Sequence, residues 1–171
     1  FLNIMFKFID EEKPDYVTVA FDLSAPTFRH KVYDGYKGTR KPMLPELRQQ
    51  VPLMKELLTA MNITIVEKEG FEADDILGTI AKNSQKQGID VSIVSGDRDL
   101  LQLADTNIKI RIKKNKKGVT EVEDYYPSDV FNLYGLFLTS DRFIYENLQL
   151  YPTVLPKYAY SGLSFSLLKS Y

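Results

Sequence analysis

Apolar residues recur at helical spacing from the start of the chain: Leu2, Met5, Phe6 and Ile9 predict an amphipathic helix that Pro14 and Asp15 end. Tyr16 to Phe21 is a β-branched and aromatic run, the mark of a buried strand, and it stops at Asp22. Ser24 to Leu44 is polar, basic and glycine-bearing, without a clear period. An excursion that long in a compact domain is usually functional or mobile. Pro45 opens a helix in which Leu47, Val51, Met54, Leu57, Leu58 and Met61 form one stripe, and Pro52 predicts a kink or restart. Ile63–Val66 reads as a second strand, and Gly70 turns the chain. Ala73, Ile76, Leu77, Ile80 and Ala81 mark a helix ending near Gly88. Val91–Val94 is a third strand, closed by Ser95, Gly96 and Asp97. A short helix over Asp99–Leu103 follows. Ile108–Ile112 and Val119–Val122 predict a hairpin around Lys113–Gly118, and Ser128 is placed to cap a last helix towards Tyr134. Strands alternating with helices imply a parallel α/β sheet.

The chain's 171 residues suit one domain with room for an appendage. A hydrophobic content of 44% and a charged content of 26% are those of an ordinary globular protein. No apolar run approaches the ~18 residues of a membrane helix, so no membrane partner is expected. Without cysteine there is neither a disulfide nor a zinc–thiolate site, which fits a reducing, cytoplasmic setting. Nothing at the start resembles a signal peptide, and a chain beginning at Phe1 rather than Met is expected to be a fragment.

A net charge of −1 argues against a generic nucleic-acid binder, but the average hides segregation. Arg29, Lys31, Lys37, Arg40 and Lys41 lie close together against the single acid Asp34. Lys109, Arg111, Lys113, Lys114, Lys116 and Lys117 form a second basic run. The acids gather instead near Glu67–Asp75 and Asp97–Asp99. The centre is acidic and the margins basic.

Three groups of acids share one topological position. Asp22 follows the first strand, Glu72, Asp74 and Asp75 follow the second, and Asp97 and Asp99 follow the third. In a parallel sheet those loops open on the edge where such folds bind ligands. At an effective dielectric of ~20, two carboxylates ~4 Å apart repel by about 4 kcal/mol. Cations at the centre, or protonation of some acids, must offset that. Oxygen donors without His or Cys select Mg²⁺ or Mn²⁺, and a two-ion site about 4 Å across is the arrangement that hydrolyses phosphodiesters. Each group also has a plain structural reading: Asp74 and Asp75 as a helix N-terminus, Asp97 and Asp99 as a turn and cap. Only their joint arrival at one edge favours the metal. His30, in the basic loop, reads as a phosphate neighbour or a bystander rather than a ligand. Arg29, Lys37 and Arg40, interleaved with Phe28, Tyr33 and Tyr36, combine phosphate-pairing charge with faces for unpaired bases; an ordinary solvated loop has the same composition. The lysines of the hairpin tip read as protection against edge pairing.

Asp22 with Pro26–His30, then Tyr36–Arg40, Gly70–Asp75 and Ser95–Leu103, resemble the 5′-3′ exonuclease domain of bacterial DNA polymerase I over about Phe1 to Gly135. The resemblance implies a PIN-like α/β fold with a basic helical arch and a divalent-metal nuclease acting on DNA with a 5′ end or a 5′ flap, in replication and repair. It implies metal-site roles for Asp22, Glu72, Asp74, Asp75, Asp97 and Asp99, with Asp97 also counted among the catalytic groups. Lys37 and Arg40 would meet the scissile phosphate, and Arg29 and Tyr36 would contact DNA. It further implies a covalently linked polymerase domain in the full-length protein.

Two departures stand out. The family opens with a strand carrying another metal-site aspartate, and this chain starts after it; neighbouring strands are then expected to have open edges and the protein to be poorly soluble. Residues 136–171 hold eight aromatic and five charged residues and lack the family's helix–hairpin–helix pattern, so they are left as an unassigned tail. A shifted reading frame would account for that tail, and sequencing the gene tests it. A catalytically impaired DNA-binding fragment is the alternative to an active nuclease. A phosphohydrolase of small phosphates has no use for the arch-like segment.

Overall fold

The computed structural model describes residues 1–33, 35–37, 43–116, 119–134 and 164–169. Helix α1 (Leu2–Glu12) ends where Lys13 takes a left-handed conformation, and β1 (Tyr16–Ala20) follows. The long excursion contains a five-residue helix, α2 (Phe28–Val32). Then come α3 (Pro45–Ala60), β2 (Thr64–Val66), α4 (Ala73–Lys86), β3 (Asp90–Ser95) and a 3₁₀ stretch over Arg98–Leu103. The chain continues with β4 (Ile108–Lys116), β5 (Val119–Tyr125), α5 (Pro127–Tyr134) and β6 (Ser164–Lys169).

These strands form one six-stranded sheet in the order β2-β1-β6-β3-β4-β5. β1 pairs parallel with β2 and β3 parallel with β4, as the alternation of elements predicts. The alternating pleat sends successive side chains to opposite faces. Ile93, Ile108, Ile110 and Ile112 meet Leu77 and Ala81 of α4 on one side. Val19, Phe21 and Val94 meet Met5 and Phe8 of α1 and Leu58 of α3 on the other. Each fully buried aliphatic side chain contributes roughly 1.5–3 kcal/mol, so these two layers fix the direction in which the strand ends point.

Several details differ from the sequence reading. α3 does not restart at Pro52 but runs on through it from Pro45 to Ala60. Pro52 and Arg48 are both exposed, so water can satisfy the carbonyl that loses its helical partner. The apolar stripe of α3 is narrower than expected: Leu58 is buried and Val51 and Met54 are half-buried, but Leu47 and Leu57 are 51% and 41% exposed. The hairpin strands reach further, to Lys116 and from Val119, leaving only 117–118 between them. α5 begins at Pro127, which places Ser128 inside the first turn. The Tyr126 N–H is instead accepted by Asp129 at 2.9 Å.

The sheet is also not wholly parallel. β6 lies antiparallel between β1 and β3, with Val17 opposite Leu167 and Val91 opposite Leu168. The facing edges of β1 and β3, expected to be open, are therefore both hydrogen-bonded. Six residues of the otherwise unassigned tail join the two halves of the sheet.

Candidate metal centre

The acids converge because three local stop signals fall at one sheet edge. Asp22 lies two residues beyond β1, where the Phe21 N–H donates to the carbonyl of Val66, the last residue of β2, at 3.1 Å. Gly70, with φ +83°, allows the turn after β2, and Glu72 then takes the cap position of α4. Asp97 follows β3; its own N–H donates to Ser95 Oγ at 3.0 Å, and its Oδ1 accepts the Asp99 N–H at 2.9 Å.

The loops are stitched to one another. Asp22 Oδ1 accepts the Ala73 N–H, the first amide of α4, at 2.7 Å. Asp75 Oδ2 accepts the Glu72 N–H at 3.0 Å, half of a reciprocal capping box. The plain structural reading holds for Asp75 at the start of α4 and for Asp97 as a cap, and Asp22 adds an acceptor for the first amide of α4. It does not account for Asp74. Burial first, and then the negative charges of Asp97, Asp22, Glu72 and Asp75, push the Asp74 carboxyl up to about 7. Asp99, half-buried and beside Asp97, is raised to about 6. Asp22 and Asp74 make no ion pair among the described residues.

Basic side chains from the excursion face this rim. Both Nη atoms of Arg29 donate to the two Asp75 oxygens at 2.6 Å, and Nη1 lies 3.7 Å from Glu72 Oε2. The Lys37 ammonium is 2.7 Å from Glu72 Oε1. The Tyr36 hydroxyl donates to Glu72 Oε2 at 3.0 Å, and burial followed by the Glu72 charge raises its pKa. Arg40 lies outside the described residues. His30 plays a structural part, in that its Nδ1 sits 2.9 Å from Thr27 Oγ1 and accepts the Thr27 N–H at 3.1 Å, closing the cap of α2. The sequence reading offered Phe28 as a base-stacking face, but its ring lies 4.5 Å beneath the Arg29 guanidinium and against Phe71. Ser95, which orients the Asp97 backbone, carried no separate signal beyond its place in the motif.

The donor set fits a hard divalent cation. It is all oxygen, and Asp74 is half-buried among like charges without a compensating ion pair among the described residues. Among those residues, no three carboxylates are yet drawn close enough to enclose an ion. Lys37 and Arg29 already neutralise part of the charge that a cation would otherwise meet.

A mixed α/β sheet with an acid-lined rim and a facing basic segment defines an acid-centred α/β domain. The chain belongs to the family described as 5′-3′ exonuclease, N-terminal resolvase-like domain, which it matches over residues 1–135. DNA polymerase I of Bacillus subtilis (strain 168) is 46% identical, and that of Bacillus caldotenax 45%, each over 136 residues. Either match covers 80% of this chain and 15% of the relative, so the chain spans about a seventh of those proteins. Among solved structures, "Divalent metal ions (zinc) bound to T5 5′-exonuclease" superposes with a TM-score of 0.57 at 18% identity, over 77% of this chain and 50% of that one. At that identity the likeness establishes the shared fold. No helix among the described residues is long and apolar enough to cross a membrane.

Proposed function

We propose that this chain provides the metal centre of a 5′-3′ exonuclease that hydrolyses DNA phosphodiesters at 5′ ends or 5′ flaps during replication and repair. One observation carries the reading: acids from the loops after β1, β2 and β3 gather around Asp74, whose carboxyl is pushed up to about 7 by desolvation first and by those charges second. Asp22, Glu72, Asp74 and Asp97 would hold Mg²⁺ or Mn²⁺, and Asp99 would complete a second position beside Asp97. Bound there, such ions supply charge neutralisation and activate water for attack on phosphorus.

The chain's own residues do the rest. Asp22 and the amide of Ala73 lock the β1 loop to α4, so the acids approach the substrate as one unit. Lys37, now on Glu72, can exchange that carboxylate for a phosphate oxygen, a comparable charge-assisted bond. Lys37 and Arg40 would then offset charge developing on the phosphoryl group. Tyr36 would offer its ring to the displaced base. In the full-length protein a polymerase domain would be covalently linked, and the DNA would be met in the cytoplasm.

The engagement of Glu72 and Asp75 by Lys37 and Arg29 also favours a second reading, a DNA-binding chain of impaired activity. Incubating the chain with a labelled 5′-flap substrate, with Mg²⁺, with Mn²⁺ and with chelator, separates the two. Cleavage only with metal is expected. Binding without cleavage in every condition supports the impaired form, and neither binding nor cleavage removes both.

A further inference from the structure

The two adjacent aspartates at the start of α4 stand in unlike surroundings. Successive helical residues point about 100° apart, so Asp74 and Asp75 cannot serve one centre in the same way. Asp74 turns among the acids of three loops. Asp75 turns towards α2, where its two oxygens accept both Arg29 donors at 2.6 Å and Oδ2 also accepts the Glu72 N–H. Three strong donors leave little lone-pair capacity on Asp75, and the guanidinium beside it repels any cation.

Arg29 is itself held. The Phe28 N–H donates to the Gly70 carbonyl at 2.9 Å, tying α2 to the turn before α4. The guanidinium rests on the Phe28 ring, which packs against Phe71. Both Arg29 and Asp75 are shielded, with side chains 14% and 20% exposed. A surface phosphate contact would need the opposite arrangement, an open guanidinium facing solvent.

We infer that Arg29 is a positioning residue acting through Asp75: the bidentate pair sets the α4 N-terminus and the Glu72 carboxylate, and Asp75 orients the metal centre without ligating it. This rests on the metal-centre reading above. A lysine at position 29 keeps the charge but cannot span both oxygens, so it does not restore the arrangement.

The test is Mn²⁺ binding to the 171-residue chain by titration calorimetry, with 5′-flap affinity in chelator measured beside it by fluorescence anisotropy and folding checked by circular dichroism. Asp74→Asn is expected to abolish detectable Mn²⁺ binding. Arg29→Lys and Asp75→Asn are each expected to weaken it about tenfold, as loss of an outer-shell partner does. The double variant should be no weaker than either single one by more than about twofold, because both act through one link. Flap affinity in chelator should change by less than about twofold. Should Arg29→Lys fail to fold, Asp75→Asn, which keeps size and one acceptor, decides the question alone. Asp75→Asn as damaging as Asp74→Asn would make Asp75 a ligand and overturn the inference. Lost flap affinity with unchanged Mn²⁺ binding in Arg29→Lys would overturn it equally, making Arg29 a phosphate contact. A wild-type chain that binds no Mn²⁺ would sink the metal-centre reading itself, and the inference with it.

Discussion

Two charged clusters sit on the same sheet and resolve their charge in opposite ways. On the face covered by α1, Arg111 lies over the Phe8 ring and reaches Glu12 at 2.8 Å, Asp124 at 2.7 Å and Glu11 at 3.2 Å. Lys109 reaches the same Glu12 at 2.6 Å. Every acid there has a base, and the cluster ties the end of α1 to β4 and β5. At the strand ends, Asp22, Glu72, Asp75 and Asp97 surround Asp74; Arg29 pairs with Asp75 and Lys37 with Glu72, while Asp22 and Asp74 make no ion pair among the described residues. A balanced cluster of this burial holds a fold together. An unbalanced one stores repulsion that a cation releases.

The contrast can be broken at either cluster. The largest effect is expected at the rim: Asp74→Asn or Asp97→Asn should lower metal-dependent cleavage by about a thousandfold or more while sparing 5′-flap binding. Single-turnover assays on the chain, or on a full-length homologue at the matching positions, check this, and near-normal turnover in both variants would count decisively against the centre. Next is Glu12→Gln, which leaves Arg111 with a weakened buried partner. It should cost about 2–3 kcal/mol in urea unfolding and leave Mn²⁺ affinity unchanged. A stability loss at Glu12 that also weakened metal binding would erase the distinction between the clusters.

The pH dependence sharpens the comparison. The Asp74 carboxyl is raised from the ordinary carboxylate range to about 7, so the folded form holds a proton that the unfolded chain has released. Stability from this group is therefore full below about pH 4, falls as pH rises towards 7, and is level above that. In chelator, the wild-type chain should lose more stability than Asp74→Asn between pH 5 and 7.5, by roughly 1–3 kcal/mol. Parallel unfolding midpoints at the two pH values would contradict the placement of Asp74. The smallest effect is expected for Lys37→Ala, a cleavage rate about tenfold lower with modest loss of flap affinity. An unchanged rate would remove Lys37 from the reacting centre.

Much of the site was legible because its signals are local. Strand ends at Asp22 and Asp97, the cap at Glu72 and the left-handed turn at Gly70 are written in adjacent residues. The pairing of Arg29 with Asp75 joins residues 46 apart, and that of Arg111 with Glu12 joins residues 99 apart, so neither leaves a local trace. Arg29 therefore read as one more base in a basic loop. The β-branched and aromatic run Tyr16–Phe21 announced a strand, but nothing nearby announced which strand lies beside it. Only the tertiary arrangement brings Ser164–Lys169 into the sheet.

The order of residue types alone determined the alternation of strands and helices, and with it the common edge at which three acidic loops end. That follows because periodicity and stop signals act over a few residues. Which acids are neutralised, which is left protonated near pH 7, and what fills the middle of the sheet were decided by the folded chain. Those outcomes depend on distances between groups far apart along the backbone, and Coulomb energies and sheet pairing respond to distance in space rather than in sequence.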